Sequence, residues 1–269
     1  LSQSVQSMAR QIQVLMADVV SEHEKKRRQE FDTLQSQINP HFLYNTLDII
    51  VWMIENEKPD QAVKVVTALA RFFRISLSRG RSIITVRDEL EHVRNYLMIQ
   101  NMRFKNRFTY TIEAEEEILD LASLKLMLQP LVENAIYHGM EFMDGDGEIK
   151  IRAWKENNDL YLSVEDNGLG MTEDEIDKYI NQIAFSGVQD FMEKYKDKAN
   201  EDQIIGHFGL GFYSAFMVSD KVSIDSLSYQ KDAKPVHWES EGGIDFEMEE
   251  GDKAEVGTTI TLYLNEDST

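Results

Sequence analysis

The sequence predicts an α+β protein in which a helical stalk is followed by an α/β sandwich. Three observations support this prediction. Residues 1–30 repeat apolar side chains at heptad spacing, residues 31–82 form two amphipathic helical stretches, and the rest alternates strand-like with helix-like segments. Helices interspersed with mostly antiparallel strands are typical of a sandwich of helices on a sheet.

The stalk begins with a predicted coiled coil over residues 1–30. Its apolar residues alternate spacings of four and three: Leu1, Val5, Met8, Ile12, Leu15 and Val19. A surface helix on a globular core is the weaker interpretation, because the apolar stripe is narrow. Residues 31–82 then read as two helices separated by the turn NEKPD (56–60). Two long antiparallel helices led by a coiled coil predict half of a dimeric four-helix bundle.

Residues 83–269 are predicted to form the sandwich. Helical periodicity is found in DELEHVRNYLMIQNMRF and SLKLMLQPLVENAIYHGM, and strand-like alternation in RFTYTIEA, EIKIRAW and LYLSVED. Beyond position 171, short helical stretches precede four further predicted strands, which are KVSIDSLS, PVHWES, IDFEME and TTITLYL.

The charge balance excludes one class of partner and changes along the chain. The net charge is −20, so general nucleic-acid binding, which relies on Lys and Arg at the phosphates, is not expected. All 12 arginines lie at or before Arg152, whereas residues 166–269 hold 23 Asp and Glu against 8 Lys, a net charge of −15. So sharp a division suggests that the two parts of the chain have different origins.

Cysteine usage and hydropathy bear on the compartment. The chain has no cysteine, which excludes disulfides and thiolate metal sites and fits a reducing compartment. No apolar run reaches the roughly 18–20 residues of a membrane helix, and no signal peptide is visible. The chain as given is therefore expected to be soluble and cytoplasmic.

The first candidate for chemistry is His41 in QINPHFLYNTL (37–47). Pro40 inside a helical pattern predicts a kink, and a proline in a helix interior costs roughly 3 kcal/mol of helix stability. A nucleophilic histidine needs an imidazole held on a rigid element, although a histidine on a bundle helix is more often a bystander. The motif resembles the phospho-acceptor box of bacterial sensor histidine kinases of the LytS/YehU type. The preceding heptads resemble the final helix of a HAMP signal-relay domain.

This resemblance implies a phosphotransfer enzyme. His41 would be phosphorylated from ATP within a homodimer and would pass the phosphoryl group to a response regulator. The HAMP-like start implies that a membrane-spanning sensor precedes this portion. The parent kinase is therefore expected in the bacterial cell membrane with this portion on the cytoplasmic side, touching the membrane only through the missing upstream segments.

The second candidate is LKLMLQPLVENAIYHG (124–139), predicted as one helix. Asn134 is a poor mid-helix residue, so it is expected to face something polar; a hydrogen bond to nearby backbone is the alternative. The segment resembles the N box of the same kinases and of the GHKL (Bergerat-type) ATPases, which include gyrase and Hsp90. The resemblance implies that Asn134 ligates the Mg²⁺ that bridges the ATP phosphates, with Glu133 and His138 beside it.

The third candidate is VEDNGLGM (164–171), where a strand ends at Asp166 and a turn with Gly168 and Gly170 follows. Such turns are common, so the pattern is weak by itself. After an N box it resembles the G1 box of these ATPases. The resemblance implies that Asp166 accepts a hydrogen bond from the adenine amino group and that the glycines let the base approach.

Beyond this turn the sequence resembles a different branch of the same superfamily. IGHFGLGFYSAF (205–216) and GTTITLYL (257–264) resemble the N-terminal ATPase domain of bacterial Hsp90, HtpG, over about residues 168–269. A glycine-rich turn before a helix presents backbone N–H groups to phosphates. The resemblance implies a lid over residues 172–205 and further nucleotide contacts at Gly170, Met171, Gly206, Gly209, Leu210, Gly211, Phe212 and Thr258.

The sequence is accordingly interpreted as a chimera. Its predicted parts are a HAMP-end coiled coil (1–30), dimerisation and phosphotransfer helices (31–82), and a GHKL domain that is kinase-derived over 83–170 and Hsp90-like over 171–269. Two positions depart from the families. Pro130 stands where Hsp90 has its catalytic glutamate, and Phe42 stands where many kinases have an acid after the histidine. The base is therefore left open, with Glu133 as one candidate.

Three functions follow from these resemblances. The first is a histidine kinase that uses ATP and Mg²⁺ to phosphorylate His41. The second is a binding module that takes up nucleotide but transfers nothing, because a lid of foreign length does not dock on the stalk. The third is an Hsp90-like chaperone ATPase fragment, against which Pro130 argues. Dependence of ATP turnover on His41 distinguishes the first from the third.

Overall fold

A computed structural model describes residues 40–77, 83–140, 143, 145–157, 159–181, 219–241 and 246–264. The chain divides into two compact units, Leu1–Asp48 and Ile49–Thr269. The predicted coiled coil, most of the predicted lid and the glycine-rich turn 206–212 lie outside the described residues.

In the first unit, the described residues form the start of helix α1 (Pro40–Glu55), whose remainder belongs to the second unit. The Thr46 hydroxyl donates to the Phe42 carbonyl one turn earlier, at 2.6 Å, so this buried polar group has its hydrogen-bond partner within the helix. The kink predicted at Pro40 concerns residues before it, which lie outside the described part of the chain.

Two further helices follow in the second unit after the turn at residues 56–58, and both confirm sequence predictions. Helix α2 (Pro59–Leu77) begins with a proline, which suits a first helical position, and has Asp60 in its first turn. Helix α3 (Val86–Arg103) is capped by Thr85, whose hydroxyl accepts from the Asp88 amide at 3.1 Å. The two helices pack on each other.

Seven strands form one mixed sheet in the order β2-β4-β5-β9-β6-β7-β8. Strands β2 and β4 are parallel and every other neighbouring pair is antiparallel. This arrangement confirms the predicted α+β class and the predicted strands, except that the strand predicted at IDFEME (244–249) is confirmed only from residue 247, since residues 244 and 245 lie outside the described residues. The strands are β2 (Phe108–Ala114), β4 (Gly147–Glu156), β5 (Asp159–Asp166), β6 (Lys221–Leu227), β7 (Val236–Ser240), β8 (Glu247–Glu250) and β9 (Gly257–Leu264).

The segment predicted as one helix over residues 123–140 is more broken than expected. Strand β3 (Ala122–Leu124) pairs instead with β1 (Ile83–Thr85) in a small second sheet. Helix α4 (Leu128–Asn134) follows, and a π-helical segment (Ala135–Met140) continues from its end. A π-helical stretch of this kind is uncommon and is frequently associated with functional sites.

The core lies on one face of the large sheet, as the alternation of its strands requires. In β4, Ile149 and Ile151 are fully buried, whereas Glu148 and Arg152, on either side of this pair, are exposed. The neighbouring strands contribute equivalent inward residues, which are Leu162, Val164, Ile224, Ile260 and Leu262. No helix in the described ranges is long and apolar enough to cross a membrane.

Candidate nucleotide-binding site

Asp166 lies at the end of β5, in the interior of the large sheet. Its Cα pairs with that of Thr258 on β9, and its Oδ1 accepts from the Gly168 amide at 2.9 Å. Burial raises the pKa of the Asp166 carboxyl to about 7, against the lowering effects of the Gly168 amide and Lys253. The carboxyl group is therefore a polar acceptor in an enclosed position, which is what recognition of an amino group requires.

Gly168 is required by a contact between two backbones. A Cβ atom on Gly168 would lie 2.2 Å from the Cα of Gly139 and 2.8 Å from Asp166 Oδ1. A Cβ atom on Gly139 would in turn lie 2.9 Å from the same Oδ1 atom. Gly139 ends the predicted N-box segment, so the N box and the G1 turn meet at Asp166. The sequence did not single out Gly139.

Gly170 has a different requirement, because its φ of +61° lies in the left-handed region that favours glycine. A Cβ atom there would lie 1.9 Å from the Leu227 carbonyl oxygen at the end of β6. One residue before it, the Leu169 carbonyl accepts from the Tyr229 amide at 2.8 Å. The G1 turn is thus held against the end of β6.

Ser226, which the sequence did not single out, connects two predicted adenine contacts. It is fully buried on β6. Its hydroxyl oxygen accepts from the Met171 amide at 2.8 Å and lies 2.9 Å from the Thr258 hydroxyl. The structure therefore brings Asp166, Met171 and Thr258 together through strands β5, β9 and β6, although these strands are far apart in sequence.

The predicted N-box residues lie at the end of α4. Asn134 is the last residue of the helix and His138 follows in the π-helical segment; both stretches contact β5. Asn134 offers an oxygen ligand of the kind Mg²⁺ prefers, and the described residues contain no cluster of three or more acidic or histidine side chains that could hold a metal. A single protein ligand fits an ion that is otherwise bound by phosphates and water.

Glu133, the candidate base, has defined partners. Gln129 Nε2 donates to its Oε1 at 2.8 Å, and the Tyr96 hydroxyl hydrogen-bonds its carboxyl group. Burial raises the pKa of the Glu133 carboxyl above its ordinary range, against these two hydrogen bonds. A raised pKa moves a carboxyl group towards the range in which a general base is effective near neutral pH.

His41 lies in the first turn of α1, in the first unit. Its side chain is exposed, and its Nδ1 lies 3.1 Å from the Asn45 side-chain nitrogen one turn later. The pair gives the imidazole a hydrogen-bond partner on its own helix.

The remaining predicted contacts fall outside the described residues. They are Gly206, Gly209, Leu210, Gly211 and Phe212, all in the glycine-rich turn. Their roles stay predictions from sequence.

Two protein families match this chain. The histidine kinase family model matches residues 29–108, and the model of the histidine kinase-, DNA gyrase B- and HSP90-like ATPases matches residues 119–268, more than half of the chain. The second match covers the Asp166 turn, the N box and all the strands of the sheet except β2. An ATPase domain of this kind implies ATP binding.

Individual relatives come from both branches. The chain is 58% identical to chaperone protein htpG of Bacteroides fragilis (strain 638R) over 106 residues, 39% of this chain and 15% of the relative. It is 40% identical to chaperone protein HtpG of Porphyromonas gingivalis (strain ATCC 33277) over 153 residues, 54% of this chain and 22% of the relative.

The kinase branch is represented by sensor histidine kinase YesM of Bacillus subtilis (strain 168). The chain is 38% identical to it over 164 residues, 61% of this chain and 28% of the relative. The chain thus spans 15% to 28% of the length of these three relatives. With its ATPase match covering more than half of its residues, the chain belongs to the family of histidine kinase-, DNA gyrase B- and HSP90-like ATPases.

Proposed function

We propose that this chain is the catalytic portion of a sensor histidine kinase whose ATP lid and C-terminal part are HtpG sequence. It binds Mg·ATP and transfers the γ-phosphoryl group to His41. The observation that carries the proposal is the Asp166 turn. Asp166 ends a strand of the kinase-like part, whereas the adjacent strand β9 and the next strand, β6, belong to the HtpG-like part. The two parts therefore complete one pocket floor.

The relatives support a sharply bounded fusion. Identity to HtpG is 58% over 106 residues for one relative and 40% over 153 residues for another. Longer matches at lower identity are expected when close similarity is confined to one segment and only the shared superfamily fold extends beyond it. The loss of arginine after Arg152 agrees with a boundary close to the Asp166 turn.

Different residues of the pocket contact different parts of the nucleotide. Asp166 accepts from the adenine amino group, Gly168 and Gly170 leave room for the base, and Met171 and Thr258 line it. Asn134 would hold the Mg²⁺ ion, whose charge would offset that of the phosphates.

Phosphotransfer needs a nucleophile and a base. Attack from Nε2 needs the in-plane lone pair of that nitrogen, so the imidazole proton must lie on Nδ1, where the Asn45 side chain can accept it through its amide oxygen once the amide is turned over. The bond between Nε2 and the γ-phosphorus forms as the bond from that phosphorus to its bridging oxygen breaks, and ADP leaves with the oxygen. The Nδ1 proton then passes to a base, for which Glu133 is a candidate.

A homodimer and a response regulator complete the proposal. Large apolar side chains of α1 and α2 are exposed, which is typical of helices that pack on a partner; in the second unit they are Val51, Trp52, Ile54, Val63, Val66 and Leu77. A four-helix bundle formed by two copies would cover them. The response regulator would then receive the phosphoryl group from His41.

Incubation with γ-labelled ATP and Mg²⁺ tests this function. The protein should acquire acid-labile, alkali-stable label that is absent from His41→Ala and present in the control His237→Ala, whose histidine lies on β7 in an ion pair with Asp225. No label in a protein that binds ADP would favour the transfer-inactive alternative. ATP hydrolysis that persists in His41→Ala without label would favour the chaperone-type ATPase.

A further inference from the structure

The backbone that leads into α4 is held by a side chain from another helix. Glu89 lies on α3 and is fully buried. Its Oε2 accepts from the Leu126 amide at 2.8 Å and its Oε1 accepts from the Leu128 amide at 2.9 Å. Met127, between these two residues, supplies no side-chain cap of its own. One carboxyl group therefore fixes three consecutive residues of this segment.

The same segment is tied to the end of α2. Lys125 is 3% exposed, and its Nζ donates to the Ser76 carbonyl at 2.7 Å. The Ser76 hydroxyl lies 2.8 Å from Nε2 of His92, another buried residue of α3. Buried polar groups are costly unless they are hydrogen-bonded, so such a network keeps its members in one arrangement. It joins α2, α3 and residues 125–128.

The backbone of this segment needs such support. Leu126 has a φ of +65°, in the left-handed region that residues with side chains rarely adopt. Helix α4 has only seven residues, and short helices depend on tertiary contacts for their stability. The position of α4 therefore depends on tertiary contacts, among them the hydrogen bonds of residues 125–128 to Glu89 and Ser76. Asn134 is its last residue.

We propose that Glu89 is a positioning residue for the nucleotide site, which fixes α4 and thereby places Asn134 for the Mg²⁺ ion. The inference rests on the proposed function, in which Asn134 is the Mg²⁺ ligand. Glu89 acts through the backbone of residues 126–128 and does not contact the nucleotide. The link from Lys125 to Ser76 makes the position of α4 depend also on the end of α2.

Glu89→Gln is the informative substitution. Its side-chain oxygen can accept from one of the two amides, while its NH₂ group would face the other amide as a second donor. Asn134 should shift and Asp166, on the sheet, should stay. The factor by which Mg²⁺ increases the affinity for ADP should fall about tenfold, whereas the affinity for ADP without the ion should be unchanged.

Calorimetric titration with ADP, in Mg²⁺ and separately in EDTA, tests the proposal. Glu91→Gln is the matched control, because Glu91 is two residues away on the same helix, with a side chain 35% exposed near Arg71. The control should behave as the wild type. A Glu89→Gln protein that keeps the full gain from Mg²⁺, or that weakens equally in EDTA, would overturn the inference.

Hydrogen–deuterium exchange separates this inference from the proposed function. Amides of residues 124–134 should exchange faster in Glu89→Gln than in Glu91→Gln, while those of β5 and β9 should not change. If the wild type shows no Mg²⁺-dependent binding, the proposed function fails and exchange alone decides whether Glu89 holds α4. Unchanged exchange in residues 124–134, or loss of the whole fold in Glu89→Gln, would overturn the inference.

Discussion

Replacing Gly168 by alanine should separate the nucleotide site from the rest of the fold. The φ of Gly168 lies outside the left-handed region, so alanine suits its backbone. The effect of the substitution is then purely steric. The new Cβ atom would lie 2.2 Å from Gly139 Cα and 2.8 Å from Gly139 C, both backbone atoms.

The magnitude follows from these distances. Ordinary van der Waals contact begins at about 3.4 Å, so the two backbones must separate by roughly an ångström. Overpacking of this kind costs about 1–3 kcal/mol, and backbone on both sides places Gly168→Ala at the upper end. The separation also moves the Asp166 carboxylate, which accepts from the Gly168 amide. Affinity for ADP should therefore fall by about 100-fold.

Titration calorimetry with ADP, together with thermal unfolding, measures both effects. Gly145→Ala is the control, because Gly145 has a φ of +117° and nothing within 4 Å of its Cβ position. It should lose about 1 kcal/mol of stability through backbone strain and keep its affinity. A Gly168→Ala protein that binds ADP within about threefold of the wild type would refute the account of this contact.

Three further predictions concern the pocket and the core. Ser226→Ala should weaken ADP binding, measured by calorimetry, about fivefold to tenfold because the Met171 amide loses its acceptor. Ser223→Ala, on the same strand, is the control and should leave ADP binding unchanged. Equal effects of the two substitutions would contradict the role given to Ser226. The pKa of Asp166 is raised to about 7, so its carboxylate becomes protonated between pH 8 and pH 6. The affinity for adenosine, measured by NMR titration, should therefore fall about tenfold over this range. An affinity that does not change with pH would contradict the role of Asp166. Phe72 is 1% exposed and stacks on His92. Phe72→Ala should therefore lower the free energy of unfolding, measured with denaturant, by about 3–5 kcal/mol. A loss below about 1 kcal/mol would contradict this description of the core.

The regular elements could be predicted because their signals are local. Alternation in EIKIRAW and LYLSVED matches strands β4 and β5, and the apolar stripe after Pro59 matches α2. The segment 123–140 could not be predicted as well. Its helical periodicity is overridden at Ala122–Leu124 by pairing with Ile83–Thr85, a partner almost forty residues earlier that no local pattern reveals.

Some residues of the candidate site could be predicted from a local pattern, and others could not. Asp166, Gly168 and Gly170 carry a recognisable spacing, and the structure places them at one strand end. Gly139 and Ser226 were missed because a glycine after a helix and a serine in a strand are common. Their contacts depend on which strands are neighbours in the sheet and on where the N box meets the G1 turn, and both are properties of the tertiary fold.

The most direct test of the central claim is whether the pocket completed by both parts of the chain holds an adenine nucleotide through Asp166. Calorimetric titration should be carried out with ADP and GDP, in Mg²⁺, on the wild type and on Asp166→Asn. We expect ADP to bind, GDP to bind at least about 100-fold more weakly because guanine presents a carbonyl oxygen to the carboxylate, and Asp166→Asn to lose ADP affinity. Absence of ADP binding, or ADP binding that Asp166→Asn leaves unchanged, would contradict the account.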